Sequence, residues 1–292
     1  MGKKNNIEQN LLDEAKQKPD KDSDKTLRGK QIKSADSVDI LYFVGCTASF
    51  DVNVKEVGIN TINIFDALGL KYGILGSEEK CCGSVLLRIG DHDFERLSEY
   101  NIRLFNSLNI KMLVTSCAGC YRTIKVDYLK MGTLNMEVLH TSQLLARLIK
   151  EKKLELKHEV PLKVTYHDPC HLGRHSNIYE TPREVLKAIP GLEFVEMDRI
   201  REFSRCCGAG GGLKAGFSDI QNKMAQERVK DAEKTGAAHL VSTCPFCYQG
   251  LQIGINAVQS KLKMTDLTEL VSLSMGLEAK NNIQRTSTKW QR

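Results

Sequence analysis

The sequence lacks the features that would place the chain in a membrane or in a secretory pathway. No apolar run approaches the roughly 18 residues of a transmembrane helix, and no apolar segment follows the basic N-terminal residues as a signal peptide would require. Aromatic residues make up only 6% of the chain, and the only tryptophan is Trp290. We therefore expect a cytoplasmic protein with no direct membrane span, whose association with a membrane would be made through partner subunits.

An excess of positive charge is also missing from the central part of the chain. The formal net charge is +6 at pH 7, but residues 37–278 contain 29 basic and 29 acidic residues, so the excess lies in the two tails. A nucleic-acid-binding surface needs Lys and Arg clustered on a folded domain, and this distribution does not provide it. We therefore expect no nucleic-acid partner.

Cysteine is abundant, with ten residues in a chain of 292. Without a secretory signal, disulfide scaffolds are rare, and clustered cysteines more often bind metal or carry out redox chemistry. The spacings are C-x34-CC-x34-CxxC in the first half and C-x35-CC-x36-CxxC in the second. These matching patterns predict two metal sites, with the ligands Cys46, Cys81, Cys82, Cys117 and Cys120 in the first half and Cys170, Cys206, Cys207, Cys244 and Cys247 in the second.

Adjacent cysteines followed by glycine occur once in each half, as Cys81-Cys82-Gly83 and as Cys206-Cys207-Gly208. Neighbouring residues seldom form a strain-free disulfide, because both side chains compete for the same space. Both sulfurs can instead face one inorganic group that the backbone approaches closely. The two pairs therefore favour metal binding over a structural disulfide.

Glycine residues follow the two cysteine pairs unequally. Glycine allows close backbone approach, so we predict that the backbone contacts a cofactor at Gly83, Gly208, Gly210 and Gly211. The glycines of the second half continue to Gly212, whereas bulky residues follow Gly83. We therefore expect the second site to be the more open one, with Cys206 and Cys207 as catalytic residues that face the substrate.

β-rich runs alternate with helical patterns along the central part of the chain, and each cysteine group lies after a predicted strand. Equivalent positions in the two halves are offset by 124 to 127 residues, which indicates a duplicated unit. Alternating strands and helices favour parallel sheets, whose carboxyl ends bind ligands. We predict an α/β fold with two duplicated lobes, each a small parallel sheet flanked by helices, related by pseudo-twofold symmetry.

The predicted organisation divides the chain into four parts. These are a disordered or partner-docking tail over 1–37, a first lobe over 38–160, a second lobe over 161–278 and a basic C-terminal tail over 279–292. The predicted strands are 38–44, 72–75, 111–115, 136–139, 162–166, 192–197 and 238–242, and the principal helices are 94–108, 142–150, 183–189, 219–235 and 266–275.

The residues leave the identity of the metal open between iron–sulfur clusters and zinc. Structural zinc sites take four ligands in a tetrahedron, so zinc does not explain a fifth cysteine in each half. Iron–sulfur clusters are held by thiolates and are tuned by close backbone N–H groups. We expect iron–sulfur clusters, with zinc in one lobe as the alternative.

The duplicated motif resembles the cysteine-rich CCG domain family. Within that family the chain is most similar to the catalytic, CCG-domain subunits of heterodisulfide reductases. This similarity rests on three segments, which are His167-Asp168-Pro169-Cys170-His171-Leu172-Gly173-Arg174, Arg205-Cys206-Cys207-Gly208-Ala209-Gly210-Gly211-Gly212 and Cys244-Pro245-Phe246-Cys247.

The resemblance implies two noncubane [4Fe-4S] clusters, each held by the five cysteines of one half. It also implies reduction of a mixed disulfide between two thiol coenzymes, coenzyme M and coenzyme B. Relatives with the same domain serve as iron–sulfur electron-transfer subunits of lactate- or glycolate-type flavin dehydrogenases, or of sulfur-oxidising complexes, and this is the alternative function. A zinc-stabilised interaction scaffold is a third hypothesis.

Fused members of the family carry a ferredoxin-type module with repeated CxxCxxC runs, and this sequence has none. The resemblance then implies that electrons arrive from a separate ferredoxin-type iron–sulfur subunit, with a flavoprotein or cytochrome subunit beyond it. The two tails are candidates for holding such a complex together.

His171 is the candidate general acid, because the pKa of an unperturbed histidine suits proton transfer near neutral pH. It lies next to Cys170, between His167 and His175. A hydrogen bond to a cluster ligand, or simple packing at a helix start, is the alternative role for this side chain.

Overall fold

The computed structural model describes residues 38–277, which form two four-stranded parallel sheets with helices around them. The predicted tails over 1–37 and 279–292, together with residue 278, lie outside the described residues. The strands are β1 Ile40–Phe43, β2 Tyr72–Gly73, β3 Met112–Thr115 and β4 Glu137–His140 in the first lobe, and β5 Lys163–Tyr166, β6 Glu193–Phe194, β7 His239–Ser242 and β8 Lys263–Asp266 in the second.

The two sheets have the same topology. The strand order is β2-β1-β3-β4 in the first lobe and β6-β5-β7-β8 in the second, and every pairing is parallel. The same order in both halves confirms the prediction of two duplicated α/β lobes. In each sheet the two central strands carry a cysteine group at their carboxyl ends, which places both groups at one edge of the sheet.

Helices connect the strands and cover both sheets. They are α1 Cys46–Phe50, α2 Lys55–Ala67, α3 Ser84–Ile89, α4 Asp93–Ser107, α5 Ala118–Arg122 and α6 Thr141–Lys150, then α7 Glu180–Ala188, α8 Leu213–Gly216, α9 Ser218–Glu233, α10 Pro245–Ala257 and α11 Leu267–Ser274. A π-helical turn over Thr123–Asp127 and 3₁₀ turns over Gly76–Glu78, Tyr128–Lys130 and Arg201–Phe203 complete the structure.

The predicted strands differ from the observed ones mainly at the sheet edges. β2 and β6 contain two residues each, although longer β-rich runs were expected at 72–75 and 192–197. Each of these edge strands pairs with one neighbour, and only over those two residues. β8 was not predicted, because the sequence Lys-Met-Thr-Asp has no apolar run and becomes a strand only by pairing with β7.

The lobes pack against each other reciprocally. Helix α6 of the first lobe contacts α7 of the second, and α11 of the second contacts α2 of the first. Because α6 corresponds to α11 and α2 corresponds to α7, the two contacts are the same contact made twice, as pseudo-twofold symmetry requires. Both large apolar clusters contain residues from both lobes, so the lobes share their cores. A boundary between residues 160 and 161 stays a prediction.

The helices at this contact begin with equivalent capping boxes. His140 Nδ1 accepts from the backbone N–H of Ser142 at the start of α6, and Asp266 Oδ1 accepts from that of Thr268 at the start of α11. His140 Nε2 also lies 3.0 Å from the carbonyl oxygen of Thr243 in the other lobe.

Within residues 38–277, no helix combines the length and the apolar character that crossing a lipid bilayer demands.

Gly254 sets the distance between α9 and α10. A Cβ atom at this position would lie 2.8 Å from the carbonyl carbon of Ala225 and 3.0 Å from its oxygen. Alanine normally stabilises a helix interior relative to glycine by about 1 kcal/mol. We predict that Gly254→Ala nevertheless destabilises the protein by about 1–3 kcal/mol, because two helix backbones must move apart. Urea denaturation followed by circular dichroism measures the change.

Asn256→Ala is the matched control for Gly254→Ala, since Asn256 is exposed on the same helix. We expect its free energy of unfolding to stay within about 0.5 kcal/mol of the wild type. Equal effects of the two substitutions would contradict the close-packing interpretation.

Asp266 makes the stability dependent on pH. Burial raises the pKa of its carboxyl group to about 7, and its Oδ2 has no hydrogen-bond partner among the described residues. The folded state therefore favours the protonated carboxylic acid. The stabilisation that this group contributes to the fold is complete below pH 3.8, its ordinary pKa, and is lost as the pH rises through about 7. We predict that Asp266→Asn removes the part of this loss that is due to Asp266, about 2–3 kcal/mol between pH 5 and pH 8, and urea denaturation at the two pH values measures it. Parallel pH profiles of variant and wild type would contradict this.

Candidate functional site

The cysteines lie where the central strands of the two sheets end. Cys46 begins α1 after β1, and Cys117 precedes α5 directly after β3. In the second lobe Cys244 precedes α10, whose first residue is Pro245, a residue preorganised for that position. Parallel strands bring these groups to one edge of each sheet, and the loops after β2 and β6 add the adjacent cysteine pairs.

The ten sulfurs form one continuous series of contacts through both lobes. Cys207 Sγ lies 3.3 Å from Cys247 Sγ, and Cys206 Sγ lies 4.0 Å from Cys170 Sγ. The order of contact is Cys46, Cys81, Cys82, Cys120, Cys117, Cys244, Cys247, Cys207, Cys206 and Cys170. The first five belong to the first lobe and the last five to the second. Each predicted ligand set is therefore together, and the two sets meet at Cys117 and Cys244.

Both sets open into one chamber between the lobes. Nine of the ten cysteines line it, whereas Cys206, which was predicted to face the substrate, is not among the lining residues and contacts Cys170. Among the other predicted site residues, His171, Gly210 and Gly211 line the chamber, whereas Gly83 and Gly208 do not.

Gly83 and Gly208 have equivalent roles in the two lobes. Both have a φ of +76°, a left-handed conformation that favours glycine. The N–H of Gly83 donates to Cys81 Sγ at 3.4 Å, and that of Gly208 donates to Cys206 Sγ at 3.3 Å. Together with a neighbouring thiol, Cys46 or Cys170, these donors hold the pKa of Cys81 and of Cys206 well below its usual range.

The glycine run of the second lobe accommodates the first lobe. Gly212 has a φ of +80°, and a Cβ atom there would lie 2.9 Å from Ile89 Cγ2, while one at Gly211 would meet Arg88. Cys81 in the first lobe is exposed, whereas Cys206 is only partly exposed. We expected the second site to be the more exposed one, and these two cysteines show the opposite order. Helix α3 of the first lobe fills the space beside the glycines of the second lobe.

Different polar interactions in the two lobes hold the backbone before the first cysteine of each set. In the first lobe, the Glu79 carboxylate accepts from the N–H groups of Val44 at 3.0 Å and Gly45 at 2.7 Å, and burial raises the pKa of Glu79 to about 7. In the second lobe, the buried Arg183 guanidinium donates to both carboxylate oxygens of Asp168, at 2.7 and 2.9 Å. The sequence signals for Glu79 and Arg183 are weak, since both lie far from the cysteines that they support.

His171 lines the chamber and contacts the first lobe. Its Nε2 accepts from Arg88 Nε at 3.4 Å, and its Nδ1 lies 3.7 Å from Cys170 Sγ. Burial and the Arg88 charge lower the pKa of His171, so the neutral ring predominates at pH 7. This environment differs from that expected of a general acid, which must carry a transferable proton near neutral pH.

Arg88 is a site residue that the sequence interpretation missed. Its guanidinium pairs with Asp127 at 3.0 Å, and Arg122 pairs with the other oxygen of the same carboxylate at 3.0 Å. Two guanidinium groups therefore share one carboxylate near the chamber. No motif surrounds Arg88 in the sequence, so only the contact between lobes identifies it.

His167 lies deeper in the second lobe and is completely buried. Arg228 Nε donates to its Nδ1 at 3.2 Å, and burial together with the Arg228 charge lowers the pKa of His167 to about 3. One of its ring nitrogens lies within 4.8 Å of the sulfurs of Cys207 and Cys247. The second ligand set thus has a neutral imidazole beside it.

The fold and the chamber define a class of protein, a duplicated α/β protein with two five-thiol sites that face one another. Comparison with known families agrees with this class. The model of the cysteine-rich domain designated CCG matches residues 40–125 and 164–252, and the chain belongs to this family.

Relatives with assigned names are oxidoreductases. The chain is 43% identical over 255 residues to one subunit of the dihydromethanophenazine:CoB–CoM heterodisulfide reductase of Methanosarcina mazei, a match that covers 85% of this chain and 62% of the relative. It is 35% identical over 248 residues to EtfAB:quinone oxidoreductase of Syntrophomonas wolfei, covering 80% of this chain and 34% of the relative. The chain thus spans about three fifths of the length of the heterodisulfide reductase subunits that it matches.

A solved structure shows the same fold. A hypothetical protein from Helicobacter pylori superposes with a TM-score of 0.59, at 16% sequence identity, over 93% of this chain and 57% of that one. At this identity the similarity concerns the fold alone.

Proposed function

We propose that each lobe binds a [4Fe-4S] cluster of the noncubane type through its five cysteines. The observation that carries this proposal is the series of contacts among ten sulfurs, which divides into two sets of five that face one chamber. Zinc in a tetrahedral site would leave one thiol of each set without a role. The N–H groups of Gly83 and Gly208, which donate to ligand sulfurs, are of the kind that stabilises iron–sulfur centres.

We further propose that the protein belongs to an iron–sulfur oxidoreductase complex and is the component that reduces a disulfide of two thiol coenzymes. The reaction consumes two electrons and two protons and breaks the S–S bond to give two thiols. When bound, each cluster would supply one of the two electrons. The 43% identity to a heterodisulfide reductase component supports this substrate class.

The protein's own residues would bind and orient the disulfide. The contact between Cys117 and Cys244 keeps the two ligand sets adjacent, so one S–S bond in the chamber can lie near both. Among the described residues, Arg88 and Arg122 both pair with the carboxylate of Asp127, and Arg88 also contacts His171, which lines the chamber, so they would provide positive charge for an anionic substrate. His171 contacts Cys170 and would orient that ligand through a hydrogen bond. Proton donation to the substrate is the role that the sequence predicted for it.

Electrons would come from a separate ferredoxin-type iron–sulfur subunit, with a flavoprotein or cytochrome subunit beyond it. All ten cysteines of residues 1–292 belong to the two five-thiol sets, so a ferredoxin-type cluster would need ligands from outside these residues. Any association with a membrane would be made through these partners.

An electron-transfer subunit without a substrate of its own is the second candidate. The 35% identity to an EtfAB:quinone oxidoreductase favours it. In that case the chamber would pass electrons between partner subunits, such as those of lactate- or glycolate-type flavin dehydrogenases or of a sulfur-oxidising complex. The two candidates differ in whether a disulfide alone can reoxidise the reduced protein.

Metal content tests the cofactor proposal. We predict about eight iron atoms and eight acid-labile sulfides per chain after anaerobic purification, and less than about 0.2 zinc. Replacing Cys206 with alanine should remove about half of the iron, and the equivalent Cys81→Ala should do the same in the first lobe. One zinc per lobe and no sulfide would contradict the proposal.

Stoichiometric reoxidation tests the reaction. We predict that the disulfide of coenzyme M and coenzyme B oxidises the dithionite-reduced protein in an amount equal to half of the electrons stored. Cys206→Ala and Cys244→Ala should each abolish this reaction, because two electrons are required. Reoxidation only by a partner flavoprotein, with no effect of the disulfide, would favour the electron-transfer candidate.

Arg88 should determine the preference for anionic disulfides. A charge-assisted hydrogen bond contributes about 1.5–3 kcal/mol, so Arg88→Ala should raise KM for an anionic disulfide by about tenfold or more and change KM for a neutral disulfide less than about threefold. Arg96→Ala removes an exposed arginine from α4 and serves as the control. Equal changes for both kinds of disulfide would contradict a charge-recognition role.

A further inference from the structure

The orientation of His167 is determined by a buried arginine. Both side chains are fully buried, at 0% exposure. Arginine is protonated at every accessible pH and only donates, so the Nδ1 that faces Arg228 Nε at 3.2 Å must carry a lone pair. Arg228 is itself held by a hydrogen bond from Nη1 to the carbonyl oxygen of Arg199 at 2.8 Å. The arginine is thus fixed in place and selects one tautomer of the ring.

The remaining ring nitrogen of His167 is a donor without an acceptor. With Nδ1 accepting, the proton of the neutral imidazole resides on Nε2. Nε2 has no hydrogen-bond partner among residues 38–277, although a buried donor normally has one. The sulfurs of Cys207 and Cys247 lie within 4.8 Å of a ring nitrogen of His167, and Nδ1 is the nitrogen that faces Arg228. An N–H cannot also ligate iron, so the ring can act here only as a hydrogen-bond donor.

The first lobe has no histidine at the equivalent position. The tyrosines of β1 and β5 make equivalent hydrogen bonds, Tyr42 to Ser116 at 3.0 Å and Tyr166 to Thr243 at 2.9 Å. The residue after Tyr166 is His167, and the residue after Tyr42 is Phe43, whose ring packs edge-on against Phe105. At this equivalent position the second lobe therefore has a buried N–H group that the first lobe lacks.

We propose that His167 donates a hydrogen bond from Nε2 to a thiolate or sulfide of the cluster in the second lobe, with Arg228 as its positioning residue, and that this bond makes the second cluster the more easily reduced of the two. The inference rests on the proposed function in one respect, the presence of iron–sulfur clusters. A hydrogen bond to sulfur stabilises the more negative, reduced state, and such bonds are known determinants of cluster potential. Electrons entering through the first lobe would then collect at the second.

A redox titration monitored by electron paramagnetic resonance tests the difference. We expect two potentials in the wild type, assigned with Cys81→Ala and Cys206→Ala. His167→Phe, which copies the first lobe, should decrease the reduced-to-oxidised ratio of the second cluster about tenfold at fixed potential, equivalent to about 59 mV for one electron. The first cluster is the internal control. His167→Gln, which retains an N–H donor, should recover at least half of the shift.

The outcomes separate this inference from the cofactor proposal. Absence of iron from the purified protein would contradict the proposed function. Full iron content in His167→Phe, with an unchanged reduction potential of the second cluster, would overturn this inference alone. If the His167 variants lose iron, pulsed electron paramagnetic resonance of the wild-type protein labelled with ¹⁵N-histidine tests the hydrogen bond instead. A weak nitrogen coupling at the second cluster that persists in His171→Ala supports the hydrogen bond. No coupling, or the strong coupling of an iron ligand, overturns it.

Discussion

Electrostatic repulsion among ten closely packed sulfurs is the constraint on which the site depends. Cys81 and Cys206 hold negative charge because a neighbouring thiol and a glycine N–H donate to them. Hydrogen bonding to these two thiolates raises the pKa of Cys46 and of Cys170 in turn. Thiolates that are buried together in a medium of low dielectric need positive charge to coexist. Bound iron–sulfur clusters would supply that positive charge to the ligand sulfurs.

The cysteine framework was predictable because it depends on local order in the sequence. A strand followed directly by Cys117 or Cys244 places its thiol at the carboxyl end of the sheet whatever surrounds it. Strand β8 was not predictable, since Lys263 and Thr265 become strand residues only through pairing with β7. Arg88, Glu79 and Arg183 were missed for a related reason, because each acts on a residue distant in sequence and belongs to no motif.

The two lobes have the same topology but differ in the side chains that surround their cysteines. Both lobes use a left-handed glycine to direct an N–H to the first sulfur of a cysteine pair. The backbone before the first cysteine of each set is held by a carboxylate in one lobe and by an Asp168–Arg183 ion pair in the other. The glycine run that suggested an open second site serves to admit α3 of the first lobe. Equivalent ligand sets thus lie in unequal surroundings.

The reciprocal helix packing has a consequence for the origin of the fold. Each repeat carries both halves of the contact, a helix of the α6 type and a helix of the α2 type, and each half meets its complement in the other repeat. Such a surface is self-complementary, so two copies of one repeat would associate by the same contact as a symmetric dimer. An ancestral homodimer of single repeats, later joined in one gene, accounts for the apolar clusters that span both lobes.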